Sequence, residues 1–172
     1  ARGALTAPHQ VRPHERTDRW FAELDPVEAD DWTVFELGAE HYRQSEDSWH
    51  DANEPRARVA VGMQDEGIVV DIAVSTDEPI FVPAGAVNPF DNEHPDTNGH
   101  GVQLYLATED DGGAWVLVPE ADSSRVRVRT LDGWGSLPAP VAEWRAVLGG
   151  FEVRATVPAG TGESGLFALD VL

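Results

Sequence analysis

Ala57-Arg58-Val59-Ala60-Val61-Gly62-Met63-Gln64-Asp65-Glu66-Gly67-Ile68-Val69-Val70-Asp71-Ile72-Ala73-Val74 is the stretch that decides the fold. Ala57, Val59, Val61 and Met63 alternate with Arg58, Ala60 and Gly62. Ile68, Val70, Ile72 and Val74 then repeat the same period. Successive side chains on a strand point to opposite faces, so each run lays an apolar row on one face. Asp65-Glu66-Gly67 supplies turn residues between the runs, and the whole reads as a hairpin. Met63, the only methionine, reads as a core residue of its strand.

Similar runs lie on either side. Trp32 to Leu37 reads as a first strand, and Ile80 to Val82 as a short one. Val102, Leu104 and Leu106 share one face, with Gln103 and Tyr105 on the other. Asp110-Asp111-Gly112-Gly113 turns the chain into Ala114 to Val118, where Trp115 faces opposite Ala114 and Val116. Val126 and Val128 alternate with Arg125, Arg127 and Arg129, and Asp132-Gly133 marks the next turn. Ala142 to Leu148 fits a short helix or a strand. Phe151, Val153, Ala155 and Val157 alternate up to Pro158, and Leu166 to Leu172 closes the chain. Roughly eight to ten strands separated by frequent turns predict an all-β antiparallel sandwich, jelly-roll-like. The helices that a parallel βαβ sheet needs are missing. Residues 1–31, broken by Pro8, Pro13 and Pro26, read as an irregular N-terminal arm, and 32–172 as the sandwich domain. Trp20, Phe21 and Leu24 would anchor that arm on its own domain or on a partner.

The chain holds 31 acidic residues against 12 basic ones, for a net charge of −19, and every basic residue is Arg. Nucleic acid and anionic lipid both call for a basic footprint, so neither is an expected partner. No apolar run approaches the roughly 18 residues of a membrane-spanning helix. Cysteine is absent, which removes disulfides, thiolate nucleophiles and Cys-ligated metals. The chain begins at Ala1, a small residue that suits signal cleavage, and a periplasmic or extracellular location is expected.

Four segments in order carry a resemblance: the hairpin of Ala57–Met63 and Ile68–Val74, then His100-Gly101-Val102-Gln103-Leu104-Tyr105-Leu106, then Gly150-Phe151-Glu152-Val153-Arg154-Ala155-Thr156-Val157-Pro158, then Gly165-Leu166-Phe167-Ala168-Leu169-Asp170-Val171. Together they resemble the family 9 carbohydrate-binding modules and the related DOMON-like sandwiches. The resemblance implies a sandwich over residues 30–172 that binds carbohydrate. His100, Gln103 and Arg154 stand where that pattern carries acidic residues, so any chemistry resting on those carboxylates is lost here. Some DOMON-like domains hold haem, but Met63 in a strand core would not serve as a Met/His ligand.

The loop Asn88 to Gly101 is the leading candidate site. Ca²⁺ takes six to eight oxygen ligands, and Asp91, Asn92, Glu93, Asp96 and Asn98 offer several in one bend. Asp96-x-Asn98-x-His100-Gly101 half-imitates the start of an EF-hand, but position five is His and the twelfth residue is Ala107. The same residue types make ordinary solvated turns. His94 and His100, with His41 and His50, lack a spacing diagnostic of a transition metal. Trp49 and Trp134 sit in polar loops as stacking platforms, with Tyr42 beside the first; indole rings pack on the C–H faces of sugars. Trp115 stays ambiguous, and Trp32 and Trp144 read as core. Arg125, Arg127 and Arg129 form a stripe that fits an anionic ligand, an acidic partner surface, or a solvated face paired with acids on the next strand.

No Gly-x-Ser-x-Gly elbow, phosphate loop, dinucleotide fingerprint or His-Glu-x-x-His is present. The reading is therefore a non-catalytic extracytoplasmic module that binds carbohydrate, with Trp49, Trp134, Tyr42 and Arg127 as ligand contacts and Ca²⁺ as the candidate cofactor. The alternative is a structural accessory subunit of an envelope or membrane-associated complex, held through loops and the N-terminal arm.

Overall fold

The structure is a computed structural model, and it describes residues 32–42, 49–51, 54–88, 94–108, 111–158 and 165–172. The expected N-terminal arm lies outside the described residues, as do Asp91, Asn92 and Glu93. Nine strands are described: β1 (Trp32–Leu37), β2 (Arg56–Gln64), β3 (Gly67–Ser75), β4 (Val102–Thr108), β5 (Gly112–Pro119), β6 (Val126–Thr130), β7 (Val141–Val147), β8 (Gly150–Pro158) and β9 (Gly165–Val171). They form two antiparallel sheets, ordered β1-β2-β3-β8-β7 and β6-β5-β4-β9. The all-β sandwich read from the sequence is thus the observed fold.

The decisive hairpin pairs Ala57 with Val74 and runs to Gln64 opposite Gly67, leaving Asp65 and Glu66 as the turn. Its inward row, with Val153 and Phe151 of β8, packs against Val102, Leu104, Leu106, Trp115 and Leu117 of the other sheet. Trp115 is fully buried there, which settles its sequence ambiguity in favour of the core. Gly113 makes room for it: a Cβ at that position would collide with the Trp115 ring.

Ala142 to Leu148, open between helix and strand, is the strand Val141–Val147. Other expectations change. Ile80 to Val82 is not a strand. The Ile80 N–H donates to Nδ1 of His100 (2.9 Å), and its carbonyl accepts from the His100 N–H (2.7 Å), so its backbone bonds are used before any ladder could take them. Met63 is not core but 51% exposed. It pairs with Ile68 one step from the turn, at the end of the hairpin where the inward row runs out.

The outer faces are not uniformly polar. On the five-stranded sheet, Val34, Ala60 and Ala73 form a second buried cluster, with Trp32 packed against it. Trp32 lies over Gly62, where a Cβ would approach its ring to 2.9 Å. The sequence reading placed Trp32 in the core; it packs instead on the outside of the sheet. Next to this cluster, register aligns Ala60, Asp71, Arg154 and Glu143 in one row, and Arg58, Ala73, Glu152 and Arg145 in the next.

Asp71 is buried and is gripped by Arg154 through Nε to Oδ1 (2.7 Å) and Nη2 to Oδ2 (2.9 Å). Glu152 is equally buried and takes Arg145 Nε at 2.6 Å. A two-pronged guanidinium–carboxylate contact satisfies both oxygens at once. Arg154 therefore has a definite structural task.

A buried pair is most sensitive to losing one member, because the survivor is left charged in a poor solvent for charge. Arg154→Met is expected to cost about 3 kcal/mol, read as a lower urea midpoint at unchanged slope. Adding Asp71→Asn should recover most of that loss. A double variant as unstable as the single would show that the stranded carboxylate is not the cause.

Candidate functional site

The loop after β1 and the polar stretch before β2 meet over the outer face of the five-stranded sheet. Between them lies a recess of about 600 Å³. Ala73 and Ser75 line it on the outward side of β3, and both are small enough to leave the sheet surface open. Trp49 stands at one side, and Glu36, Glu40, Arg56 and Arg58 line the rest. Opposite charges therefore balance, two against two.

Trp49 is held in place. Its Nε1–H donates to the Pro55 carbonyl at 3.0 Å, and the Arg56 guanidinium lies 5.1 Å from its ring centroid. Glu54 fixes this corner with contacts to His50 Nδ1 (2.8 Å) and Arg56 Nη2 (3.3 Å). The hydrogen bond from His50, helped by Arg56, holds the Glu54 carboxyl below its usual range. Tyr42 follows the same loop and is half-buried, but it does not line the recess.

Trp134 lies elsewhere, against Tyr105 of the four-stranded sheet. The two rings meet edge-on with centroids 4.9 Å apart, and Trp134 is 53% exposed. The Tyr105 hydroxyl is in turn hydrogen-bonded to Gln103 Oε1 at 2.5 Å. The turn carrying Trp134 is fastened to the start of β5. Asp111 Oδ1 accepts from the Gly112 N–H (2.7 Å) and the Ser136 N–H (2.9 Å), and Oδ2 accepts from the Ser136 hydroxyl (2.6 Å). Leu137 N–H adds a bond to the Gly112 carbonyl at 3.0 Å. Gly135 sits at φ +123°, with the Gly112 oxygen where a Cβ would go, so only glycine fits this close approach.

The third place is the stretch between β3 and β4, which ends on a single 3-10 turn, Pro95–Asn98. Phe81 carries this stretch over the end of the core, edge-on to Trp144 (4.8 Å) and Phe151 (5.2 Å). His100 braces the stretch through the two Ile80 backbone bonds, and burial pushes its imidazole below the ordinary histidine range. Asp96 then docks on β6: Oδ1 takes Arg127 Nη1 at 2.7 Å, and Oδ2 takes Arg129 Nε at 2.9 Å. His94 Nδ1 stands 3.0 Å from the same Oδ2.

The Asp96 side chain is only 2% exposed. Burial pushes its pKa up, but the hydrogen bonds from Arg129 and Arg127 outweigh this and leave it below the ordinary carboxylate value. Both oxygens of Asp96, a residue expected among calcium ligands, are thus engaged by nitrogen donors. Asn98 is exposed at the end of the same turn. Among the described residues, no group of three or more His, Asp or Glu side chains could hold a metal ion.

The expected contacts thus divide between two sheets. Trp49 belongs to the five-stranded sheet; Trp134 and Arg127 belong to the four-stranded one. Arg127 and Arg129 share a face as strand alternation requires, but their acid comes from the 3-10 turn and not from a neighbouring strand. Arg125 pairs instead with Glu120, at 3.3 Å. Sequence reasoning missed Glu36, Arg56, Arg58 and Ser75 as recess residues. The signal was present in β2, whose outward positions Arg56 and Arg58 face the side on which the Trp49 loop returns.

No protein-family model matches the chain, nor does any curated protein or solved structure.

Three hydrogen bonds hold the Asp111 carboxyl below its ordinary range, with the Ser136 hydroxyl the strongest contributor. A carboxyl depressed in the folded state contributes fully above its unfolded pKa of about 3.9 and loses that contribution as pH falls through the folded value. Protection factors at the Ser136 and Leu137 amides, taken relative to intrinsic exchange at each pH, should therefore be high near neutrality and fall below about pH 4. Asp111→Ala should give the low protection at every pH. Protection at Ser136 that survives Asp111→Ala would show that this carboxylate does not fasten the Trp134 turn.

Proposed function

We propose that this chain is a non-catalytic, extracytoplasmic binding module that takes a neutral carbohydrate in the recess beside Trp49. The observation carrying this reading is the composition of the recess. An indole, the small side chains of Ala73 and Ser75, and a balanced set of two carboxylates and two guanidinium groups stand around about 600 Å³. Sugars present C–H faces to an aromatic ring and hydroxyls to polar groups on either side. Carboxylates accept from hydroxyls and guanidinium groups donate to them. A ligand with net charge would gain from one pair and lose to the other, whereas a neutral polyol uses both.

Trp49 is pre-oriented by its bond to Pro55, so little freedom is lost when a ligand stacks on it. The resemblance to carbohydrate-binding sandwiches supports the same ligand class. A structural accessory role is the second reading, and the exposed, fastened Trp134 favours it. Aromatic side chains held rigidly at a surface commonly dominate protein interfaces.

Titration calorimetry with a panel of soluble oligosaccharides tests the first reading. Binding is expected, with Trp49→Ala weakening it at least about tenfold, or roughly 1.4 kcal/mol. Trp134→Ala should leave it unchanged. Absence of binding across the panel, together with stoichiometric co-purification that Trp134→Ala abolishes, would replace carbohydrate with a protein partner.

A further inference from the structure

We propose that the cavity bounded by Arg127, Arg129 and His94 on the four-stranded sheet is an oxyanion site, separate from the Trp49 recess. It would take a single carboxylate or phosphate group.

The cavity measures about 500 Å³ and runs between β6 and the turn that carries Asp96. Among the described residues, its wall holds two guanidinium groups and one carboxylate, which sum to +1. That sign is opposite to the chain as a whole, whose net charge is −19. Around the Trp49 recess, by contrast, the lining charges cancel.

The donors are not exhausted by Asp96. Arg127 spends Nη1 on Asp96 and Nη2 on the Val82 carbonyl (2.9 Å), while its Nε is buried and makes no hydrogen bond. Arg129 spends Nε on Asp96. Among the described residues its two terminal amino groups meet no further acceptor. Guanidinium forks match planar carboxylate and tetrahedral phosphate oxygens, and each such contact is strengthened by charge.

Asp96 makes the arrangement specific. Its two oxygens fix Arg127 and Arg129 side by side, and the ion pair holds both side chains at 24% and 28% exposure. A ligand then meets guanidinium groups already in position. His94, 48% exposed, also lines the cavity, with its Nδ1 held against Asp96, 3.0 Å from Oδ2 and 3.3 Å from the backbone N–H that donates to it. A neutral ligand would leave the surplus positive charge unused.

Calorimetry in dilute buffer, with inorganic phosphate and with glucuronate as separate probes, distinguishes the two sources of oxyanion. Saturable binding of at least one is expected. Arg129→Gln should weaken it at least about tenfold, the worth of a hydrogen bond to a charged group. Arg125→Gln, which removes the same charge from the same stripe outside the cavity, should leave it unchanged. In the wild-type protein, nitrogen-15 spectra should show the Arg129 Nη resonances moving with the same midpoint, a reading that needs no variant to fold. Failure of both anions to bind, equal losses in the two variants, or binding without movement at Arg129 would overturn the proposal. Loss of oligosaccharide binding in Trp49→Ala with phosphate or glucuronate binding intact would separate this site from the one proposed above.

Discussion

The burial of two facing apolar rows is the interaction on which the rest of this molecule depends. Ile72, Val74, Phe151 and Val153 on one sheet meet Leu104, Trp115 and Leu117 on the other, and all are essentially solvent-free. Strand geometry sends every alternate residue the other way. Once the inward rows are committed to the core, the outward ones are available for ion pairs, for the Trp32 cluster and for the two cavities. A one-residue slip in β2 or β3 would turn Arg58 and Asp71 into the core and dismantle both faces together.

On those outer faces, an acidic chain uses its few cations sparingly and in depth. Arg154 with Asp71, Arg145 with Glu152, and Arg127 and Arg129 with Asp96 all engage carboxylates that are almost wholly buried. For Asp71 a planar guanidinium suits this task better than an ammonium group, since Arg154 satisfies both oxygens at fixed spacing. The pairs also have different surroundings. Asp71 takes a single arginine, whereas Asp96 takes two, and those two open onto a cavity.

Much of the fold was legible because periodicity is a local signal. The β2–β3 hairpin, β4, β6 and β8 are all written as alternation in consecutive residues. Ile80–Val82 looked the same over three residues, but its backbone is taken by His100, twenty positions away, and nothing nearby in sequence announces that partner. Met63 kept the period yet fell past the edge of the core, because alternation gives the face and not the depth. Trp32 read as core because the covering of an outer sheet face depends on β1–β2 register and on Gly62.

The site was legible as residue types and not as a place. Trp49, Trp134 and Arg127 each stood out, but their assignment to different sheets follows from strand order, which no single segment encodes. The most direct measurement is native-state amide hydrogen exchange, resolved by residue. The slowest amides should lie in β3 and β8 of one sheet and in β4 and β5 of the other, at Val70, Ile72, Val153, Leu104, Trp115 and Leu117, and should open with a common free energy. Slow exchange confined to one sheet, with Leu104 and Trp115 exchanging like surface amides, would contradict the packed pair of layers from which everything else here is built.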